Sequence, residues 1–329
     1  DYIAIVDAKS TPFVSMAPKG KDIGNMQFSW QVDNYGVPVL GGVPDGTDVT
    51  VANASNPVVN RTRLNNFGQA FRRDLRIGFI AETQEVAGVT DELANGIAKK
   101  LVEIKRDMES TFMCTNQPSQ MDTGVGGNAY RTGSLGNWLN ADNSANIGAC
   151  ASGSPFKPAS GAIDTTAAAS FVEATAQNVL TAIYSATGTF RDYDCILGST
   201  LKRAFTNLTA SGSVVVTTPN TGVAATSVRT FNQDLGADTF KASIDVFEGD
   251  FGRLILHPTQ FIGSTPGTTL TATPTKGYVI PMDMVEVRYA KLPQVKNLPD
   301  SGGGPARLVE AIAGLVVKNP SGFGFFNGA

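Results

Sequence analysis

From Leu93 to Phe112 the apolar residues Leu93, Ile97, Leu101, Ile104, Met108 and Phe112 recur at spacings of four, four, three, four and four. That period lines them up in one stripe along an α-helix. A helix over about residues 90–114 is roughly 36 Å long at 1.5 Å per residue. It needs an apolar surface of matching length to lie on, and this limits every other element of the fold. Thr90 is placed to cap it, Asp91 and Glu92 put negative charge in its first turn, and Lys99, Lys100, Lys105 and Arg106 follow, the order that the helix dipole favours.

What precedes the helix has little apolar material of its own. Residues 1–26 show no sustained period, only Thr11-Pro12-Phe13 and a Lys19-Gly20-Lys21 turn, and read as an extended arm. From Gln27 to about Gly78 the chain alternates through Phe28, Trp30 and Val32, breaks at Gly41-Gly42 and Pro44-Asp45-Gly46, and resumes at Val49 and Val51. It then returns through an arginine-rich run from Arg61 to Arg76. This is the pattern of a long two-stranded excursion. Segments like these do not offset their own ordering entropy, so neighbouring copies are expected to stabilise them. The candidate contact residues are Phe13 and Trp30 as apolar anchors, with Arg61, Arg63, Arg72, Arg73 and Arg76 as bidentate partners for carboxylates. A merely solvated arginine face is the competing reading.

Beyond the helix, residues 116–162 are rich in Gly, Asn and Ser, include Gly124-Val125-Gly126-Gly127, and carry no hydrophobic period. A loop of that length is unusual inside a compact domain, so this insertion is expected on a surface, against a neighbouring subunit. A second helix is predicted from about Thr166 to Ala186, with Phe171, Val179 and Ile183 on one side. Cys195-Ile196-Leu197 reads as a buried strand, and Ser199 as the cap of a third helix holding Leu201, Phe205 and Leu208. Strands are predicted at 240–247, 253–256, 278–289 and 308–317. The fold class is α+β, with no internal repeat.

Composition excludes several functions. Charged residues make up 17% and the net charge is -3, so there is no basic footprint for tight sequence-specific nucleic-acid binding. Nonspecific contact with double-stranded DNA stays open. Cys114, Cys150 and Cys195 have no metal or disulfide spacing and read as reduced, mostly buried thiols. No apolar run approaches the roughly 18 residues of a membrane span, so no membrane partner is expected and the chain is expected to be soluble. Asp at position 1 suggests further residues upstream.

The lone His257 beside Pro258 has no nucleophile motif near it and reads as a residue closing a turn. Asp245, Glu248 and Asp250 read as a solvated turn rather than a metal cluster. Gly124 to Gly127 lack the Lys-Ser/Thr ending of a phosphate loop, and the glycosylation sequons at Asn53, Asn60 and Asn207 are taken as chance matches. No catalytic residue, metal site or cofactor is expected.

Several segments together resemble the major capsid proteins of tailed bacteriophages with the Hong Kong 97 type fold. Thr11-Pro12-Phe13-Val14-Ser15-Met16 with Lys19-Gly20 is similar to the family's N-arm, Phe28 to Asp33 to the strand entering its extended loop, and Arg63 to Phe71 to the returning strand. Glu82-Thr83-Gln84 and Ala87-Gly88, followed by Ile104-Lys105-Arg106-Asp107-Met108-Glu109, resemble the approach to its spine helix and the helix itself. Val246 to Leu256 and Asn319-Pro320-Ser321-Gly322 fit its last strands.

The resemblance implies an N-arm at 1–26, an extended loop at 27–80, and a peripheral domain at 81–169 carrying the spine helix and the 116–162 insertion. An axial domain at 170–275 and returning peripheral strands at 276–329 complete it. It also implies a non-enzymatic subunit that self-assembles into hexamers and pentamers of an icosahedral shell in the host bacterial cytoplasm. A portal, a scaffold and a decoration or cement protein are the other expected partners. A nanocompartment shell of the encapsulin type shares these features, and a secreted β-rich hydrolase is the reading from a different class.

Some relatives weld their shells through a lysine on the extended loop bonded to an asparagine. Here no lysine lies between Lys21 and Lys99, so that bond has no donor on this loop. Denatured assemblies are therefore expected to give single chains by intact mass, and a ladder of covalent multimers would contradict this.

Overall fold

The computed structural model describes residues 7, 9–35, 38, 40–48, 61–83, 91–139, 156–210, 244–263, 270–300 and 302–328. In chain order its first elements are α1 (Pro12–Met16), β1 (Gln27–Val32), β2 (Thr62–Phe67), β3 (Gln69–Arg76), α2 (Phe79–Thr83), α3 (Glu92–Phe112) and α4 (Leu135–Leu139). Then come β4 (Ile163–Asp164), α5 (Glu173–Thr187), β5 (Arg191–Leu197), α6 (Ser199–Ala210), β6 (Val246–Gly249) and β7 (Gly252–Pro258). The chain ends with β8 (Gly277–Ile280), β9 (Val285–Leu298), β10 (Ala306–Val317) and β11 (Gly324–Phe326).

The long helix forms where its stripe predicts. Its cap is Asp91, whose carboxylate accepts the Ala94 N–H at 3.0 Å; Thr90, the expected cap, lies outside the described residues. Only the later part of the stripe, Ile104, Met108 and Phe112, is fully buried. The helix lies on a small antiparallel sheet of order β3-β10-β9, and Phe71 of β3 meets Phe112 edge-on at 6.2 Å. β1 and β2 form a separate antiparallel ribbon, which runs into β3 through Gly68 alone. The ribbon sits close on β10 at Gly314, where an added Cβ would come within 2.6 Å of the Phe28 ring.

A larger mixed sheet of order β4-β11-β8-β5-β7-β6 forms the second body. β5 and β7 pair in parallel. α5 and α6 cover this sheet through Val179, Ile183, Leu201 and Phe205, which cluster with Tyr193, Leu254 and Phe326. α5 stops at Gly188, whose φ of +66° is the left-handed turn that glycine adopts without strain. The helix expected from Thr166 begins only at Glu173, after a short 3-10 turn at Ala168–Ser170. The segment expected as one strand over 278–289 is two strands in different sheets, broken at Pro281 and a 3-10 turn, Met282–Met284. Of the strand expected at 240–247, residues 240–243 lie outside the described ones.

Two expectations are corrected outright. The arm is not wholly extended: α1 places Phe13 at 0% exposure, edge-on to Phe112 at 6.2 Å. Residues 18–23 then run beside β9, with Gly20 and Ile23 donating to Val287 O and Tyr289 O, each at 3.0 Å. The insertion is not a surface loop throughout either, since Gln117, Thr132, Ser134, Leu135, Trp138 and Leu139 are buried. Its turn at residues 121–129 is exposed, whereas residues 140–155 are outside the described set.

Amides and hydroxyls hold that buried stretch. Asn66 Nδ2 donates to Leu315 O at 2.7 Å and Gly133 O at 3.3 Å, while its Oδ1 accepts the Gly133 N–H at 2.8 Å. Gln117 Nε2 donates to Thr132 O and to Gln69 Oε1, and Thr132 Oγ1 accepts the Leu315 N–H. Buried polar groups are expensive to leave unpaired. Replacement by leucine, N66L, strands the Leu315 carbonyl and the Gly133 N–H, and is expected to lower stability by about 3 kcal/mol. Chemical denaturation of the variant subunit checks this; a loss below about 1 kcal/mol would mean the network is optional.

Candidate assembly surface

The residues expected to face neighbouring copies divide into two groups. Phe13 is corrected: it is spent inside this chain's own core. Trp30 is half-buried, packed on Trp138 at 5.5 Å and on Phe28 at 6.1 Å, so it fastens the ribbon to its own body. Arg73 is also an internal brace. Its guanidinium makes a bidentate pair with Asp107 of α3 at 2.7 and 2.6 Å, with Glu103 at 3.9 Å. That hydrogen bond to Asp107 is the chief reason its pKa is held above the ordinary arginine value.

The other arginines keep more of their surface. Arg61 pairs with Asp33 at 3.2 Å across the open end of the ribbon, and Arg63 donates to Ser29 Oγ at 2.9 Å. Arg72 stands opposite Glu310 on the outer face of the small sheet. The Glu310 carboxyl is held below its ordinary value, first by its bond to Lys291 and to a smaller degree by the charges of Lys296 and Arg72. Arg76 lies 3.8 Å from Asp300, whose carboxylate accepts the N–H groups of Gly302, Gly303 and Gly304 in the β9–β10 turn. The five arginines thus never form one patch.

The surface that does lack an intramolecular home lies just beyond β1. Tyr35 and Leu40 are fully exposed and Val43 is 78% exposed, on a segment that carries Asp33, Asp45 and Asp48 and no cation between residues 33 and 48. On α2, Phe79 and Ile80 are also more than half exposed. They adjoin a groove of about 560 Å³ between β3 and α3, where Leu75, Ile77 and Ala81 are mixed with the charged Arg76, Glu92, Lys99 and Glu103. Scattered exposed apolar residues are ordinary; three on one short segment are not. Sequence reading missed them because apolar residues in a run broken by Gly36, Pro38, Gly41 and Gly42 read as part of a paired strand and its turns rather than as exposed side chains.

Elsewhere the side chains are arranged for support. His257 sits within β7, not in a turn, with its Nε2 at 2.9 Å from Asp194 of β5. Burial pushes the Cys195 thiol far above its ordinary value and the Cys114 thiol upward, so both stay protonated; Cys150 lies outside the described residues. Asp245, Glu248 and Asp250 are exposed, as expected of a solvated turn. Among the described residues no group of three or more His, Cys, Asp or Glu is placed to hold a metal ion, and no helix is long and apolar enough to cross a membrane.

An arm, a two-stranded ribbon, a long helix on a small sheet and a larger mixed sheet covered by two helices together define the Hong Kong 97 type capsid fold, and solved phage-head structures share it. The capsid asymmetric unit of cyanophage Pam1 superposes with a TM-score of 0.55 over 99% of this chain and 94% of its own, at 13% identity. The capsid of a native GTA particle gives 0.56 over 99% and 92%, at 12% identity, and Mycobacterium phage Adephagia gives 0.53 over 99% and 92%, also at 12%. By sequence, residues 1–329 match the family described as SU10 major capsid protein, and the chain belongs to that family. The major capsid protein of Escherichia phage Phieco32 is 33% identical over 116 residues, a match covering 34% of this chain and 31% of that protein.

The two kinds of arginine are separable by experiment. R73A is expected to lower subunit stability by about 1 kcal/mol, kept small by solvent around a half-exposed guanidinium. R61A and R72A are expected to change it by less than about 0.5 kcal/mol. Thermal melts of the three variants read this directly; equal losses in all three would remove the distinction.

Proposed function

We propose that this protein is the main structural subunit of a phage head. Copies join as hexamers and pentamers and close into an icosahedral shell around double-stranded DNA, which the shell contacts without sequence preference. The observation that carries this reading is the exposure of Tyr35, Leu40 and Val43 to solvent in the isolated chain. Each such contact is modest, and closure into a shell adds them cooperatively. The family match supports a phage head over an encapsulin-type compartment. The role is architectural rather than catalytic.

The two apolar clusters support a peripheral body around α3 and an axial body around α5 and α6, with the mixed sheet shared between them, since its Ile196, Tyr278, Ile280 and Phe325 belong to the α3 cluster. In this division the arm keeps residues 1–26, and the extended loop shortens to 27–67, because β3 belongs to the peripheral sheet. The axial body keeps the 170–275 span and shares its sheet with β8 and β11 from the returning segment. A portal, a scaffold and a cement protein are the further partners, the virion is the final location and the host cytoplasm the place of assembly. Arg61, Arg63, Arg72 and Arg76 stay as candidate contacts, joined by Tyr35, Leu40 and Val43.

Electron microscopy of the expressed protein tests the reading. Shells, tubes or capsomers are expected from the natural sequence. The triple variant Y35S/L40S/V43S is expected to keep the melting temperature of the dissociated subunit and lose the assemblies. A natural chain that stays monomeric, or a triple variant that assembles normally, would overturn the proposal.

A further inference from the structure

Glu109 is the one charged residue with no solvent exposure among the described residues. Its only side-chain partners there are the backbone N–H groups of Phe13 and Val14, which donate to Oε1 and Oε2 at 2.9 and 2.8 Å. A buried carboxylate ordinarily has a cation beside it. The elements packed on this stretch of α3 do not provide one. α1 contains no ionisable side chain, and β10 carries only Arg307 and Glu310, the latter bonded to Lys291 of β9. From β3, Arg73 is committed to Asp107 while Arg72, Asp74 and Arg76 stay exposed, and β9 adds Glu286 and Arg288, paired to each other, and Tyr289. On α3 itself Lys105 is exposed, and Arg106 sits over the Phe261 ring and 3.9 Å from Asp7 of the arm, an exposed carboxylate apart from Glu109.

Among the described residues the carboxyl therefore bonds only to the arm, which ties its burial to the arm being in place. We propose that Glu109 is a proton-operated latch for the N-terminal arm: protonated, it is sealed beneath α1; ionised, it draws water and loosens the arm from α3. The latch acts within a single chain and does not rest on the shell reading. Burial raises this carboxyl to about 7, against the smaller lowering effect of its two N–H bonds, from an ordinary value of 4.5. The sign follows from linkage. A docked arm binds a proton that a released arm gives up, so docking is strongest below the ordinary value and weakens as pH rises through about 7. Across the full range the docking equilibrium changes by ~300-fold, at one decade per pKa unit.

Hydrogen–deuterium exchange on the full chain tests it, with rates corrected for the intrinsic pH dependence of exchange. Between about pH 5.5 and 8.5, amide protection over residues 12–17 is expected to fall about 30-fold in the natural protein while β7 is unchanged. In E109Q, which keeps the shape and removes the titration, arm protection is expected to be flat. A flat response in the natural chain, or a fall that persists in E109Q, overturns the latch. If E109Q does not fold, the carboxyl carbon-13 shift of Glu109 in the natural protein decides: a midpoint near 7 is expected, and a midpoint in the ordinary glutamate range rejects the proposal.

Discussion

Phe112, at the last turn of α3, is held from two directions, by Phe71 of β3 and by Phe13 of the arm, each with ring centroids 6.2 Å away. The grip joins three segments far apart in sequence, and the rest of the structure hangs on it. It sets the helix on the small sheet, and that sheet carries the β1–β2 ribbon through Gly68. It also seals Glu109 one turn earlier under the arm. Aromatic edge contacts of this kind add about 1 kcal/mol each beyond the area they bury. What matters more is that removing the Phe112 ring opens a cavity beside both of the others.

The parts of this arrangement with a strong local period were legible in the sequence. The α3 stripe, the buried run at Cys195 to Leu197 and the strand ending at Val317 keep their pattern because each lies on one continuous surface. The helix at Pro12 was not legible. It has only five residues and is held by a carboxylate 96 positions away, a tertiary contact with no local signature. The stretch around Gln117, Thr132 and Asn137 was hidden for another reason. It is buried through amides and hydroxyls, and a hydrophobic-pattern reading takes such residues for solvent-facing loop. Pro281 split what looked like one strand because the chain changes sheets there.

The functional surface shows the same limit. The pairing of β1 with β2 was readable from the alternation through Phe28, Trp30 and Val32, but the rule that picks aromatics and arginines as contact residues chose Phe13, Trp30 and Arg73. All three are engaged within the chain, where the same chemistry that suits an interface suits a core or a brace. Tyr35, Leu40 and Val43, close together on one segment, stand out only once the fold has shown which apolar side chains are buried among the described residues. The proposed result is a division of labour: two bodies joined through a shared sheet, and a short acidic segment whose exposed apolar side chains are the candidate contacts.

Hydroxyl-radical footprinting of the same protein as dissociated subunits and as assembled particles tests that division most directly. The account predicts that Tyr35 and Leu40 react freely in the subunit and become several-fold protected in the particle, while core residues such as Tyr278 stay unreactive in both. Equal reactivity of Tyr35 and Leu40 in the two states would contradict it.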